Sequence, residues 1–435
     1  MLQLRPSLGS RWIIGLVGAT LMTGCTAADG DGADASTTSR MASAGAKDLD
    51  LFLSRLEEVH PEPFHGISRS DFVDALRALQ DRLRNLDADE TTVEVMRLVA
   101  LLSRAGRDGH QFALPQPGHE GAVLPLRIYE FDEGVFVTAA MPGASDIVGA
   151  ELLAIGDTDI EEVVTLVEPL VPRDGPSTVA AFRSVFLLRT EVLRGLGVLA
   201  DSAVTVTIRH GGTERTVEID PADFDAYVSW AGEYGMFGLP DRADTTYLSG
   251  TDEILRAEQL PGSSAAYLRY TRVERPAASA LEAARALLTN QSIDRAILDV
   301  RQNPGGDNHN NPSMIKLVTD FVDAHPGAPV VVLTDRVTFS AAANLVTDIE
   351  GTVDPVFVGE AMGGGLNFWN DVTQVRLDDL PVPMQIGVST KYWERSTPGD
   401  ERLTIEPDVA VPVTAADYFG GRDPALAAAA VAPAS

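Results

Sequence analysis

From Pro329 to Glu350 the chain reads PVVVLTDRVTFSAAANLVTDIE, and this stretch restricts the possible folds more than any other. PVVVLTD is a continuous β-branched run and DRVTF has no helical period. SAAANLVTDIE then resumes with apolar residues at helical spacing until Gly351 stops it. The order is buried strand, tight turn, helix. Ser340 falls where the turn becomes the helix, so its hydroxyl projects from a fixed point beside backbone N–H groups that have no intrahelical partner. Two roles are open to it on this stretch alone. Serine commonly caps a helix start, and a strand-turn-helix junction is also where a nucleophilic serine is presented.

The same alternation continues on both sides. SAAYLRYTRV reads as a strand, PAASALEAARALLTN as a helix with Pro276 at its start, RAILDVRQ as a buried strand and NNPSMIKLVTDFVDA as a helix. PVFVGE, the glycine loop Gly363-Gly364-Gly365, and the strands NDVTQVRL and MQIGVSTKYW follow, and the tail is a short helix at most. Residues 231–430 are therefore expected to form an α/β core with a mainly parallel sheet and crossover helices. Upstream, residues 47–110 carry helical periods through Leu49, Leu51, Phe52, Leu56 and Val59, then Phe72, Leu76, Leu79, Leu83 and Leu86, then Val95, Leu98, Val99 and Leu102. Pro61 and Pro63 dictate the break after the first of these. Residues 111–230 change to short strands, including a hairpin at Gly211-Gly212, with helical portions near 161–171 and 178–199. The fold class is thus α/β in the broad sense, an α+β multidomain chain. Residues 26–46 are small, polar and unpatterned, and are expected to be a flexible tether.

Charge removes one class of partner. Lys and Arg number 34 against 63 Asp and Glu, a net charge of −29 with no basic run, so clustered phosphate neutralisation is not available and nucleic acid is not an expected partner. The first 25 residues carry Arg5 and Arg11, then an apolar stretch from Trp12 to Met22 too short to span a bilayer, then Gly24-Cys25. This resembles a bacterial lipoprotein signal, which implies cleavage before Cys25, lipid attachment to it, and a cell-envelope location with the membrane contacted through the lipid only. Cys25 is the only cysteine, so a disulfide within the chain and a cysteine-based metal site are excluded. No zinc-type spacing or phosphate loop occurs, and no cofactor or metal is expected.

A second motif lies at the end of RAILDV, in Arg301-Gln302-Asn303-Pro304-Gly305-Gly306. Two glycines after a parallel strand let the backbone turn with positive φ and present its N–H groups. An oxyanion needs such donors, as does a phosphate or an ordinary turn.

Taken in order, these pieces resemble the serine peptidase family of the C-terminal-processing (tail-specific) proteases and the tricorn core. ILDVRQNPGG is similar to that family's Asp-Leu-Arg-x-Asn-x-Gly-Gly strand end, DRVTFSAAA to its Asp-Arg-x-x-x-Ser-Ala nucleophile turn, and VFVGEAMGGG to its Val-Gly-Glu loop. TIEPDV is similar to its Pro-Asp-Val ending, and HPEPFHGISRSDF with DGH to the helical front end of bacterial members. VTAAMPGASDIVGAELLAIGDTDI resembles a PDZ-like module, in which an edge strand accepts an extended peptide. The resemblance implies a ClpP/crotonase-like core acting on polypeptides, with Ser340 as nucleophile.

The departures assign the base. Members with a Ser-Lys dyad carry a lysine where this chain has Gly365, and no lysine occurs between Lys316 and Lys391. The tricorn-like branch uses a histidine oriented by a carboxylate, and the residues at matching positions are His110 and Glu401. That branch's serine before the histidine is replaced by Gly109. The expected chemistry is proton transfer from Ser340 to His110, with Glu401 fixing the imidazole tautomer. The N–H groups of Ala341 and of Gly305 or Gly306 are expected to hold the oxyanion. His309 is the second choice of base, His60 and His65 are expected to be structural, and Asp299 and Arg301 to stabilise the strand end. Glu394 and Glu406 are substitutes for Glu401. A fold-alike that binds peptide or an apolar ligand without cleaving it is the alternative.

Overall fold

A computed structural model describes residues 35–200, 203–232 and 235–433. The signal-like segment and Cys25 lie outside the described residues. Among those residues no helix is long and apolar enough to cross a membrane.

The core sheet follows from the β-branched runs. Its strands lie in the order Val409–Ala410, Val356–Gly359, Val330–Thr334, Arg295–Asp299, Ala265–Tyr270 and Leu255–Gln259. All neighbours are parallel except the last pair. Register sets Leu298 against Val332 and Asp299 against Leu333. Alternate residues face opposite layers. Leu298 and Val332 pack with Met314, Leu317, Phe321 and Leu345 from the crossover helices, whereas Ile297, Val331 and Leu333 pack with Ala425 and Ala429 of the Pro424–Ala429 helix. Burial on both faces is why these strands are apolar throughout.

The helical front end has the expected faces, with Leu49, Phe52, Leu56, Phe72, Leu76, Val95 and Val99 buried, and Leu51 turned outward. Ser68 caps the Arg69–Arg82 helix by accepting the Asp71 N–H, and Asp87 with Glu90 forms a capping box at the start of Ala88–Ala100. The first helix begins at Ala35, so residues 35–46 are helical and not the expected tether. The cause is packing through small residues: Gly45 is buried against Leu83 and Leu380, a contact that leaves no trace in an apolar period. Further along the same helix, the Asp48 carboxylate accepts the N–H groups of Asp379 and Leu380 at 2.7 and 3.1 Å, which ties the front end to the core.

The β-rich part is an antiparallel sheet in the order Leu126–Phe131, Gly134–Ala140, Glu151–Ile155, Val204–His210 and Thr213–Ile219. The hairpin turns at Gly211 and Gly212, both with positive φ, as that two-residue connection requires. One hydrophobic cluster runs from Leu49 through Ile219, so the helical and β-rich parts share a core that crosses the expected boundary at residue 110.

Two short pairings carry the chain beyond residue 105 onto the core. Ala113–Pro115 adds to Met384–Val388, which pairs in turn with Thr373–Leu377, and Asn367–Asn370 pairs with Lys391–Glu394. The Trp369 N–H reaches the Arg107 carbonyl at 2.7 Å and the Gly387 N–H the Phe112 carbonyl at 2.9 Å. The loop bearing His110 is thereby held against the strands that follow the Ser340 turn.

Candidate active site

Ser340 has φ 54° and ψ −124°, and its side chain makes no cap hydrogen bond to the Ala341–Glu350 helix. A serine acting only as a cap has extended backbone and accepts an N–H from the first turn. Ser340 does neither, and it occupies a region sparsely populated for a residue with a β-carbon. The surroundings enforce this geometry. The buried Asp335 carboxylate accepts the N–H groups of Val337 and Thr338 and the backbone and side-chain N–H groups of Gln302, which joins the Ser340 turn to the loop after Arg295–Asp299. Burial pushes its carboxyl above the usual range. The Thr338 hydroxyl donates to the Val300 carbonyl at 2.9 Å, and the Phe339 N–H reaches the Asn303 carbonyl at 3.1 Å.

Gly305, at φ 107°, lies against Ser340, since a β-carbon there would sit 2.7 Å from the Ser340 Cβ and 2.9 Å from the Ala341 nitrogen. Its own N–H is spent on the Asn303 side-chain oxygen at 3.0 Å. Gly306 is the other member of the expected pair, and its N–H takes no part in the bridge that the Gly305 carbonyl and the Asp307 N–H make with Val273. Ala341 opens the helix, so its N–H precedes any intrahelical acceptor. The glycine loop closes on the same turn. Gly363 and Gly364 both donate to the Thr338 carbonyl at 3.1 Å, and a β-carbon on Gly364 would meet the Ala343 Cβ at 2.4 Å.

His110 is buried with its ring stacked on Phe339, 4.6 Å between centroids, and on Phe368 at 5.6 Å. Neither ring nitrogen has a hydrogen-bond partner among the described residues. Burial pulls the imidazole down to about 3, so it is neutral at ordinary pH. The structure therefore brings His110 to the residue preceding Ser340 but forms no hydrogen bond between them. Glu401 is exposed, and no carboxylate of the described residues bonds the His110 ring. Its neighbour Arg402 is fixed by Asp400 and Glu350, and the Asp400 carbonyl accepts from Arg107 at 3.3 Å, so the Glu401 loop borders the His110 loop without reaching the imidazole.

The other candidates sort plainly. His309 is exposed and bonds Asp307 at 2.7 Å. His60 donates to Asp108 at 3.1 Å, and Asp108 also accepts from Ser389 at 2.7 Å and from Gln111, so both Asp108 carboxylate oxygens are occupied within a buried network. Asp299 and Arg301 pair with each other, joined by Tyr267 and Asp423, as expected for a strand end. Glu394 and Glu406 are exposed. Sequence reasoning missed Asn370, whose side-chain N–H lies 3.3 Å from the Ser340 hydroxyl. Only the pairing of Asn367–Asn370 with Lys391–Glu394 brings it there, and no motif announces that.

Comparison with known proteins agrees with this geometry. Residues 264–411, which contain Gly305, Ser340 and the glycine loop, match the model of peptidase family S41. Mature CPAF complexed with lactacystin is similar in structure at a TM-score of 0.58 and 14% identity, covering 88% of this chain and 96% of that one. A mutant of CPAF gives 0.59 and 14%, covering 88% and 95%. No curated protein matches. Likeness at that identity shows a shared multidomain fold, and the family match falls on the strands and turns that build the serine site: residues 264–411 are a peptidase family S41 segment.

Proposed function

We propose that the chain hydrolyses peptide bonds of polypeptides through an acyl-enzyme on Ser340, with His110 as general base. The observation that carries this reading is the Ser340 backbone at φ 54° and ψ −124°, held without a cap bond against Gly305. In the first step His110 takes the hydroxyl proton as Oγ bonds the scissile carbonyl carbon. Collapse of the tetrahedral species breaks the C–N bond and returns the proton to the leaving amine, and water repeats the sequence on the ester. The N–H groups of Ala341 and Gly306 are the oxyanion donors in this reading, because the Gly305 N–H is already committed to Asn303.

An imidazole held near 3 is a weak base. The reading therefore requires the His110 environment to gain water or charge on substrate binding. Glu401 is the carboxylate for that role, on a loop that already borders the His110 loop, and an approaching anion favours the imidazolium. The antiparallel sheet is read as the PDZ-like element that accepts extended chain, and residues 1–25 as the lipoprotein signal that anchors the enzyme at the cell envelope through Cys25. The unbonded His110 nitrogens favour one other reading, an inactive relative that binds peptide or apolar ligand. Protein beginning at residue 26 is expected to cleave casein and to take up a fluorophosphonate on Ser340. Ser340→Ala is expected to do neither while melting at the same temperature. Cleavage by the variant equal to that of the parent, or no labelling of the parent, sinks the peptidase reading.

A further inference from the structure

Asp174, in the loop before the Pro176–Leu187 helix, has no part in the steps above, yet it is fully buried between both loops that flank Ser340. Its Oδ1 accepts the Gly109 N–H at 2.6 Å and its Oδ2 accepts the Gly365 N–H at 3.2 Å. The main chain around it fastens the same loop, with the Arg107 N–H on the Asp174 carbonyl at 2.8 Å and the Asp108 N–H on the Arg173 carbonyl at 3.1 Å. The Thr178 hydroxyl accepts the Asp174 N–H at 3.1 Å and donates to the Gly363 carbonyl. One carboxylate thus grips the residue before His110 and the loop packed behind Ser340.

Among the described residues no cation neutralises it. Arg107 is turned to the Tyr392 hydroxyl and the Asp400 carbonyl, Arg173 to Glu168, Arg183 to Glu130 and Glu168, and Arg402 to Glu350 and Asp400. The charge that acts on it is Asp108, of the same sign and itself bonded to His60, while buried His110 stays neutral. Desolvation, opposed only by the two backbone hydrogen bonds, pushes the carboxyl up to about 7. A purely structural clasp has no need of so expensive an anion. Two N–H donors nevertheless converge on it from different loops, and an amide in its place offers one acceptor atom and turns its own donor toward the second N–H.

We propose that Asp174 is a positioning residue of the active site, whose ionised carboxylate holds the His110 loop and the glycine loop behind Ser340 in their mutual placement. This rests on the Ser340 and His110 reading above. The test compares the parent protein with Asp174→Asn, following fluorophosphonate labelling and casein cleavage on both sides of pH 7, with thermal melting as a check on folding. At pH 8 the variant is expected to lose about tenfold or more in labelling rate and kcat with KM little changed. The rise of the parent's rate through about pH 7 is expected to vanish in the variant. A variant with the parent's rate and pH profile overturns the proposal and leaves the nucleophile reading standing. A parent that is never labelled overturns both. If the variant does not fold, the parent alone decides: amide exchange at Gly109 and Gly365, corrected for intrinsic rate, and the labelling rate must share a midpoint near pH 7, or the proposal falls.

Discussion

Gly305 touches Ser340 so closely that no side chain fits between them: a β-carbon at 305 would lie 2.7 Å from the serine Cβ. The φ of 107° at Gly305 adds a second obstacle, since L-residues rarely adopt it. Gly305→Ala is therefore expected to displace the Ser340 turn and, on the proposed mechanism, reduce fluorophosphonate labelling about a hundredfold, because small misplacements at a reacting atom cost that much. The buried parallel sheet stays intact, so the stability loss is limited to about 2–4 kcal/mol by urea titration. Unchanged labelling would show that the Gly305 loop lies outside the site.

Ser340 itself stores strain. Its φ of 54° and ψ of −124° lie in territory where only glycine is at ease. Ser340→Gly is expected to abolish labelling while raising stability by about 1–3 kcal/mol, the cost that such backbone positions carry. Urea midpoints of parent and variant check it. A variant less stable than the parent would mean that the turn imposes no strain on this residue.

How far the sequence foretold this site depends on whether a feature was local. The buried strand, turn and helix around Ser340 followed from β-branched runs and helical period, because burial on both faces of a parallel sheet writes itself into consecutive residues. The helix faces of Phe52, Phe72 and Val95 were legible for the same reason. Residues 35–46 were not, since Gly45 packs on Leu380 through the absence of a side chain. Glu401 illustrates the other limit. Its position matched that of the tricorn-like branch's carboxylate, but its exposure is set by how Asp400, Arg402 and Glu350 pair across the fold. Asn370 and Asp174 reach the site through contacts with residues 340 and 365, and nothing in their neighbourhoods in sequence distinguishes them.

Asn370 is the only side chain among the described residues with a hydrogen bond to the Ser340 hydroxyl. At 3.3 Å in the resting site, its amide is placed to follow Oγ as the bond to the carbonyl forms. Asn370→Ala is expected to lower kcat on casein about tenfold to a hundredfold with KM nearly constant, since the contact is made to the hydroxyl proposed as nucleophile and not to bound substrate. An effect confined to KM would reassign Asn370 to substrate binding.

His110 couples the site to acid stability, and the sign is fixed by its environment. Burial holds the folded imidazole at about 3, against an ordinary value of 6.5 in the unfolded chain. Between those values the unfolded state binds the extra proton, so the contribution of this residue to stability is complete above 6.5 and is lost as pH falls toward 3. The loss is about 1.4 kcal/mol for each pH unit in that window. Phenylalanine keeps the stacking on Phe339 and Phe368, removes two buried nitrogens that lack partners, and does not titrate. His110→Phe is accordingly expected to abolish casein cleavage and to gain stability relative to the parent as pH is lowered below 6.5, read from urea midpoints at a series of pH values. If parent and variant lose stability in parallel, the histidine takes up its proton equally in both states and the dry, neutral imidazole described here is not the resting form of the enzyme.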